Sequence, residues 1–232
     1  MVCSLDGKTT VHGKAEAIGS QIDRALMRTL RSRADAVMVG AGTLRAEKLN
    51  LGVPEDVSQW RASRGLKPQP LSVIATTSGD LPLRENLIGS SPDNLVVLAS
   101  PDTPRHHLTA LSSFASVEIV PEGMAPRSWL DPTGALQTLK ERHAVDVLLV
   151  EGGPALNYAL VSAGLADELF LTLAPKLLGG ERPGALTMLE GPLLSPNDIE
   201  PKLVSIHLFE DELFLRHALR SEEDIIRYPP LR

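Results

Sequence analysis

Between Val145 and Gly164 the sequence reads VDVLLVEGGPALNYALVSAG, and it places one carboxylate, Glu151, and two glycines, Gly152 and Gly153, between an apolar run and a segment of helical spacing. Val145 and Val147–Val150 suit a buried parallel strand. Pro154 is favoured in a first helical turn, and Ala155, Leu156, Ala159, Leu160 and Ala163 recur at helical spacing until Gly164 offers a stop. A helix N-terminus at the carboxyl end of a strand exposes backbone N–H groups that suit an anion, and glycines let a ligand approach closely. The same glycines also serve a tight strand-to-helix turn, and the spacing leaves both uses open. The G-x-G-x-x-G fingerprint is absent, because Leu156 stands where its last glycine would fall.

A second junction of this kind follows Ala36–Val39, where Gly40-Ala41-Gly42-Thr43-Leu44-Arg45-Ala46-Glu47 offers an open N–H at Gly42 and a hydroxyl at Thr43. Two such junctions at one sheet edge can face each other across a crevice. A third strand, Leu71–Thr76, ends in Thr76-Thr77-Ser78 rather than in an acid. A carboxylate there would favour the ribose hydroxyl of NAD, whereas hydroxyls suit the 2′-phosphate of NADP. Taken alone, the segment is most simply an ordinary Ser/Thr/Gly turn. Arg24, Arg28 and Arg31 share helical spacing and read as a solvated face, and the adjacent His106 and His107 read as surface residues without a third ligand.

The elements that must position these groups alternate. Ser20 caps a helix running to about Arg33, strands are expected at 36–39, 71–76, 94–99, 117–120 and 145–150, and Asp131-Pro132 opens a helix to about His143. A short helix is expected near Trp60 in an otherwise aperiodic connection, and another over 103–111. Residues 168–173 form a further strand, and 204–209 and 212–217 flank Glu210-Asp211 as an antiparallel hairpin. The expectation is a single domain over 1–220 and a polar tail over 221–232. With 232 residues, 43% hydrophobic content and a net charge of −6, the chain can bury a real core and has no broad basic surface for nucleic acid or an anionic membrane. No apolar run is long enough for a membrane span, and the reading is a cytoplasmic protein. Its single cysteine, Cys3, allows no internal disulfide and no cysteine metal cluster, and no metal is expected.

Four segments in order resemble one family: Ser4-Leu5-Asp6-Gly7-Lys8, Gly40-Ala41-Gly42-Thr43, Val150-Glu151-Gly152-Gly153-Pro154, and Ala163–Glu168 leading into Ala174-Pro175-Lys176-Leu177-Leu178-Gly179-Gly180. Together they are similar to the riboflavin-biosynthesis pyrimidine reductases, whose reductase domain is dihydrofolate-reductase-like. The resemblance spans roughly residues 2–219. It implies a three-layer α/β/α domain with a mainly parallel mixed sheet and a C-terminal antiparallel hairpin, NADPH as hydride donor, and a homodimer. It further implies reduction of the ribosyl group of 5-amino-6-(5-phosphoribosylamino)uracil to ribityl. The zinc-deaminase signature of the bifunctional relatives, H-x-E with P-C-x-x-C, is missing, so deamination is not expected.

Carried over residue by residue, the resemblance places the cofactor on Thr43, Glu47 and the run from Gly153 through Ala159, including Pro154, Ala155, Leu156 and Asn157, and the open N–H read at Gly42 falls beside them. Gly152 and the Thr76, Thr77, Ser78 turn complete that side. It places the substrate on Glu151, Arg31 and Leu51, with Asp6 and Lys8 as further polar candidates at neighbouring strand ends. The chain departs from the family pattern at Ala15-Glu16-Ala17-Ile18-Gly19, and again at Glu47-Lys48-Leu49-Asn50-Leu51-Gly52-Val53-Pro54, where many members carry an arginine suited to the substrate phosphate. These departures leave two other readings: a reductase of another heterocycle such as a dihydropterin, and a nucleotide-binding module without turnover.

Overall fold

The computed structural model describes residues 1–15, 17–120, 130–180, 185–195 and 198–220; the expected tail, 221–232, lies outside them. The elements are β1 (Val2–Ser4), α1 (Gln21–Arg33), β2 (Ala36–Gly40), α2 (Ala41–Ala46), α3 (Glu55–Ser63), β3 (Leu71–Thr76), α4 (Leu83–Asn86) and β4 (Leu95–Ala99). There follow α5 (Arg105–Leu111), β5 (Ser116–Ile119), α6 (Pro132–His143), β6 (Leu148–Val150), α7 (Pro154–Ser162), β7 (Glu168–Ala174), β8 (Lys202–Phe209) and β9 (Glu212–Ala218).

Hydrogen bonding divides the strands into two ladders rather than one continuous mixed sheet. The first, in the order β5-β4-β3-β2-β6, is wholly parallel; the second, β1-β7-β9-β8, pairs β1 with β7 in parallel and the rest antiparallel. Because side chains alternate along a strand, the parallel ladder feeds two cores. Met38, Val73, Val96 and Leu98 pack with Leu139 of α6 and Leu160 of α7, while Val37, Val39, Ile74 and Val97 pack with Leu44 of α2 and Leu111 of α5. Helices cover both faces, which gives three α/β/α layers.

Local chemistry accounts for most boundaries. The Ser20 hydroxyl accepts from the N–H groups of Ile22 and Asp23 and caps α1, and the Asp131 carboxylate accepts from Gly134 N and caps α6. The expected strand over 145–150 is shorter: pairing begins at Leu148, because the Asp35 carboxylate takes the N–H groups of Asp146 and Val147. Its three residues are half-buried, in keeping with the edge position of β6. On α1 the buried residues are Asp23 and Ser32, and Ile22 is exposed.

What fastens the end of α1 is Arg61 of α3, only 1% exposed. Its Nη1 donates to the carbonyls of Arg31, Ser32 and Ala34 at 3.1, 2.9 and 2.8 Å, and its Nε donates to that of Lys67 at 2.9 Å. Burial pushes its pKa below the ordinary guanidinium value, opposed by the Asp35 carboxylate. The hairpin of β8 and β9 forms as expected, turning through Glu210 at φ 51°.

Candidate active site

The carboxyl ends of β2, β3 and β6 open onto one cavity of about 1170 Å3. Ligand pockets commonly run to roughly 1000 Å3, so a site this large has room for a dinucleotide with a second small molecule.

The two glycine junctions form its centre and touch each other. Gly40 N donates to Gly152 O at 2.7 Å, and Glu151 N donates to Met38 O at 2.9 Å. Gly152 has φ +100°, a region side chains avoid, and a Cβ on Gly153 would meet the Thr43 hydroxyl at 2.8 Å. Helix α7 starts from Gly153 with no side chain capping its first turn, and Pro154, Ala155 and Leu156 line the cavity there. Gly42, Thr43 and Glu47 line the wall opposite. This cradle suits a pyrophosphate, because open N–H groups and the positive end of a helix meet where added side chains would fill the space.

Thr76, Thr77 and Ser78 line the same cavity, and their turn is held from behind. Gly79 N donates to the Thr76 hydroxyl at 3.0 Å, the Thr103 hydroxyl to Thr77 O at 3.0 Å, and His107 Nδ1 to Ser78 O at 2.7 Å. His107 is therefore a support of this turn and not the surface residue expected from its position; His106 is exposed. Arg45 also lines the cavity here, its Nη1 donating to Asp80 O at 3.0 Å.

On the other side of Gly152, Glu151 and Arg31 form a two-pronged ion pair, Nε to Oε1 at 2.5 Å and Nη2 to Oε2 at 2.6 Å, with side chains 11% and 18% exposed. Arg31 Nη1 donates to Asn50 O at 2.6 Å and Gly52 O at 3.3 Å, so α1, β6 and the loop before α3 meet at one guanidinium.

Four expected site residues lie elsewhere. Leu51 is fully buried in the core beneath its loop, and only its neighbours Asn50 and Gly52 reach the cavity. Asn157 is buried, with its amide donating to Met188 O, away from the cavity wall. Lys8 is half-buried outside the wall, its backbone tied to Ser4. Asp6 is exposed and clasps the loop after β7: it accepts from the Ser4 hydroxyl at 2.6 Å, Leu178 N at 3.1 Å and Gly179 N at 2.7 Å. Conversely, Asp23, Arg24, Arg28 and Arg45 line the cavity without having been expected there. The spacing of Arg24, Arg28 and Arg31 was the available signal for a common face.

The Ser4 hydroxyl, helped by the two loop amides, holds the Asp6 carboxyl down to about 2. A carboxylate depressed in the folded state contributes stability above its unfolded pKa of about 3.9, lost as pH falls through the folded value. The clasp should therefore persist at pH 4 and open towards pH 2, seen as faster hydrogen exchange at Leu178 and Gly179. Asp6→Asn should raise exchange at those two amides already at pH 7, and protection unchanged in that variant would contradict the clasp.

Among the described residues no helix is long and apolar enough to cross a membrane, and no group of three or more His, Cys, Asp or Glu side chains is placed to hold a metal ion. Facing glycine turns at the carboxyl ends of a parallel ladder stand beside a half-buried arginine–glutamate pair, in a three-layer fold consistent with dihydrofolate-reductase-like reductase domains. The chain belongs to the family of RibD C-terminal domains, which matches residues 1–211. It is 29% identical over 182 residues to the 2,5-diamino-6-ribosylamino-4(3H)-pyrimidinone 5′-phosphate reductase of Archaeoglobus fulgidus, covering 78% of this chain and 80% of that one. It is 27% identical over 224 residues to the riboflavin biosynthesis protein RibD of Actinobacillus pleuropneumoniae, covering 94% of this chain but 55% of the relative. Among solved structures, a pyrimidine reductase-like protein from Corynebacterium diphtheriae superposes with a TM-score of 0.78 at 22% identity, covering 95% of this chain and 90% of that one. An Acinetobacter baumannii RibD gives 0.73 at 24%, covering 94% and 56%.

Proposed function

We propose that the chain is an NADPH-dependent pyrimidine reductase of riboflavin biosynthesis, converting the ribosyl group of 5-amino-6-(5-phosphoribosylamino)uracil to ribityl. The observation that carries this reading is the meeting of two half-sites at Glu151. Its backbone continues into the Gly152-Gly153 cradle, and its carboxylate holds Arg31 on the far side. NADPH, when bound, supplies the hydride that reduces the sugar carbon C1′ of the ring-opened imine, with a proton going to the adjacent nitrogen.

The residues of this chain bind and orient. The first turn of α7 receives the pyrophosphate, with the Thr43 hydroxyl opposite. Arg45 with Thr77 and Ser78 receives the 2′-phosphate, where a cation and hydroxyls stand and no carboxylate ends β3. Glu151 and Arg31 fix the pyrimidine side, and holding both reactants in contact contributes on the order of 7–11 kcal/mol in favourable cases. The same reading includes a homodimer, supported by Leu203, Val204, Ile206, Leu208 and Phe209 of β8, all left exposed on one edge strand.

Two measurements test it. Loss of NADPH absorbance should follow addition of the phosphoribosylamino pyrimidine; turnover confined to a dihydropterin, or tight NADPH binding with no turnover of either compound, would overturn the substrate assignment. Fluorescence titration should show NADPH bound at least about tenfold more tightly than NADH, since a charge-assisted bond contributes roughly 1.5–3 kcal/mol and about 1.4 kcal/mol is tenfold. Arg45→Gln should remove most of that preference while leaving NADH affinity unchanged. Equal affinities in the unaltered protein would sink the 2′-phosphate seat.

A further inference from the structure

Four carboxylates line the cavity among the described residues: Asp23, Glu47, Glu151 and Glu190. Three of them are engaged. Both oxygens of Glu151 are taken by Arg31, Glu190 accepts from the Thr187 N–H and hydroxyl at 2.9 Å each, and Glu47, on the cofactor wall, has a partner as well. Asp23 is different. It sits in the first turn of α1, only 6% exposed, and among the described residues its carboxylate accepts no hydrogen bond and forms no ion pair.

Helix capping does not account for this side chain. The Ser20 hydroxyl takes the N–H groups of Ile22 and Asp23 and donates its own proton to Glu212 at 2.5 Å, yet the Asp23 carboxylate makes no return bond to the start of the helix. Its Oδ2 lies instead against Gly19, where an added Cβ would come within 2.6 Å of it. The Met1 amine, which donates to Phe170 O at 2.7 Å and also lines the cavity, ties this carboxylate to the rest of the site. Burial lowers the pKa of that amine, and the charges of Asp23 and then Glu151 oppose the shift, so both carboxylates act on one stretch of the wall. A buried carboxyl group without a partner costs free energy unless something that enters the site bonds to it.

The reduction proposed above has work for such a group. The sugar carbon C1′ accepts a hydride only as part of a C=N bond, and in the ring-closed ribosylamine it is bonded to the ring oxygen O4′ instead. Opening the ring puts negative charge on O4′, which calls for a proton as the bond breaks. Glu151, committed to the Arg31 fork through both oxygens, orients the substrate; a second carboxyl group has to move the proton.

We propose that Asp23 is the catalytic residue that opens the substrate's ribose ring and then protonates the nitrogen beside C1′. The Asp23 carboxyl group gives its proton to O4′ as the C1′–O4′ bond breaks with its electron pair on oxygen, and the lone pair of the nitrogen forms the C1′=N bond. The N–H proton of that cation passes to the Asp23 carboxylate, which leaves the neutral imine. When the hydride from NADPH adds to C1′, the π pair moves to nitrogen, nitrogen takes the proton back from Asp23, and solvent restores the carboxyl group. C1′ is reduced and the nicotinamide oxidised. This rests on the pyrimidine-reductase reading and adds the residue that prepares the sugar for the hydride.

Ring opening can be read without cofactor, because the two anomers of the ribosylamine interconvert through the open imine. The probe is the phosphoribosylamino pyrimidine itself, and saturation transfer between its two anomeric proton signals gives the exchange rate in the presence of the full chain. The unaltered protein should speed that exchange at least about a hundredfold over buffer, the low end of what general acid–base catalysis contributes. Asp23→Asn, which keeps the shape of the side chain, should lose the acceleration and lower kcat by about a hundredfold, with KM and the NADPH dissociation constant within about threefold and the circular dichroism spectrum unchanged. An unaltered protein that reduces the pyrimidine without speeding anomer exchange would overturn the role of Asp23. An Asn variant with unchanged kcat, or one whose loss lies in KM alone, would overturn it too, and in all these cases the pyrimidine-reductase reading stands. Neither exchange nor reduction of this compound by a protein that still binds NADPH would overturn the substrate reading, and the role of Asp23 with it.

Discussion

Replacing Glu151 by Gln should lower kcat/KM for the phosphoribosylamino pyrimidine by about a hundredfold, the cost of misplacing a reactant by roughly 1 Å, while the NADPH dissociation constant stays within about threefold. The expected split comes from the two roles of the same residue. Its backbone N–H bonds to Met38 O, and the next carbonyl, Gly152 O, accepts from Gly40 N; neither bond depends on the side chain. The cofactor cradle should therefore keep its shape. The carboxylate, however, meets both prongs of Arg31, and an amide in its place presents an N–H to one of them. Arg31 then keeps one bond to the amide oxygen and the carbonyls of Asn50 and Gly52, loses its counter-charge, and the fixed wall on the substrate side loosens. Because the two side chains act as one unit, Arg31→Met should cost about as much as Glu151→Gln, and the double variant little more than either. Fully additive losses, or an NADPH affinity that falls in step with turnover, would count against this division of labour.

Sequence reasoning located this pair and did not foresee their mutual contact, for a physical reason. Local signals are written along the chain: the alternation and β-branched content that set Leu71–Thr76, the Asp131-Pro132 cap of α6 and the hairpin flanking Glu210-Asp211 all emerge where expected. Which water a side chain faces is not written that way. Arg24 and Arg28 have the spacing of a solvated helix face, and only the loop and sheet edges opposite turn that face into the wall of a cavity. Leu51 sits in an aperiodic loop, where nothing in the pattern says that its side chain turns inward to the core while its neighbours turn outward. Asp6 keeps the character of a polar strand-end residue, but its partners are two loop amides more than 170 residues away. The shortening of β6 has the same origin, since Asp35 competes for N–H groups through a carboxylate that no periodicity reveals.

Arg61 is the extreme case of a partner set made only of backbone carbonyls, and Arg61→Met should destabilise the protein by about 3 kcal/mol, the cost of stranding buried acceptors once their charged donor is gone. For a domain of this size that corresponds to a Tm lower by roughly 6–12 °C. The carbonyls of Arg31, Ser32 and Ala34 end α1, where the helix dipole leaves partial negative charge, and the Arg61 guanidinium meets all three from within the protein. Methionine fills much of the same volume, so the loss measures hydrogen bonding and charge more than a cavity. Lysine should recover only part of it, because one ammonium lacks the fork that reaches the end of α1 and Lys67 O together. Arg64, exposed on the same helix end and stacked over Trp60 at 5.1 Å, provides the comparison: Arg64→Met should change stability by less than about 1 kcal/mol. The effect should also reach the site, because Arg61 holds the backbone of the very residue that pairs with Glu151. In Arg61→Met, KM for the pyrimidine should rise well below the unfolding transition while NADPH binding is unchanged. A variant with lowered Tm but an unaltered KM would show that Arg61 stabilises α1 without setting the position of Arg31.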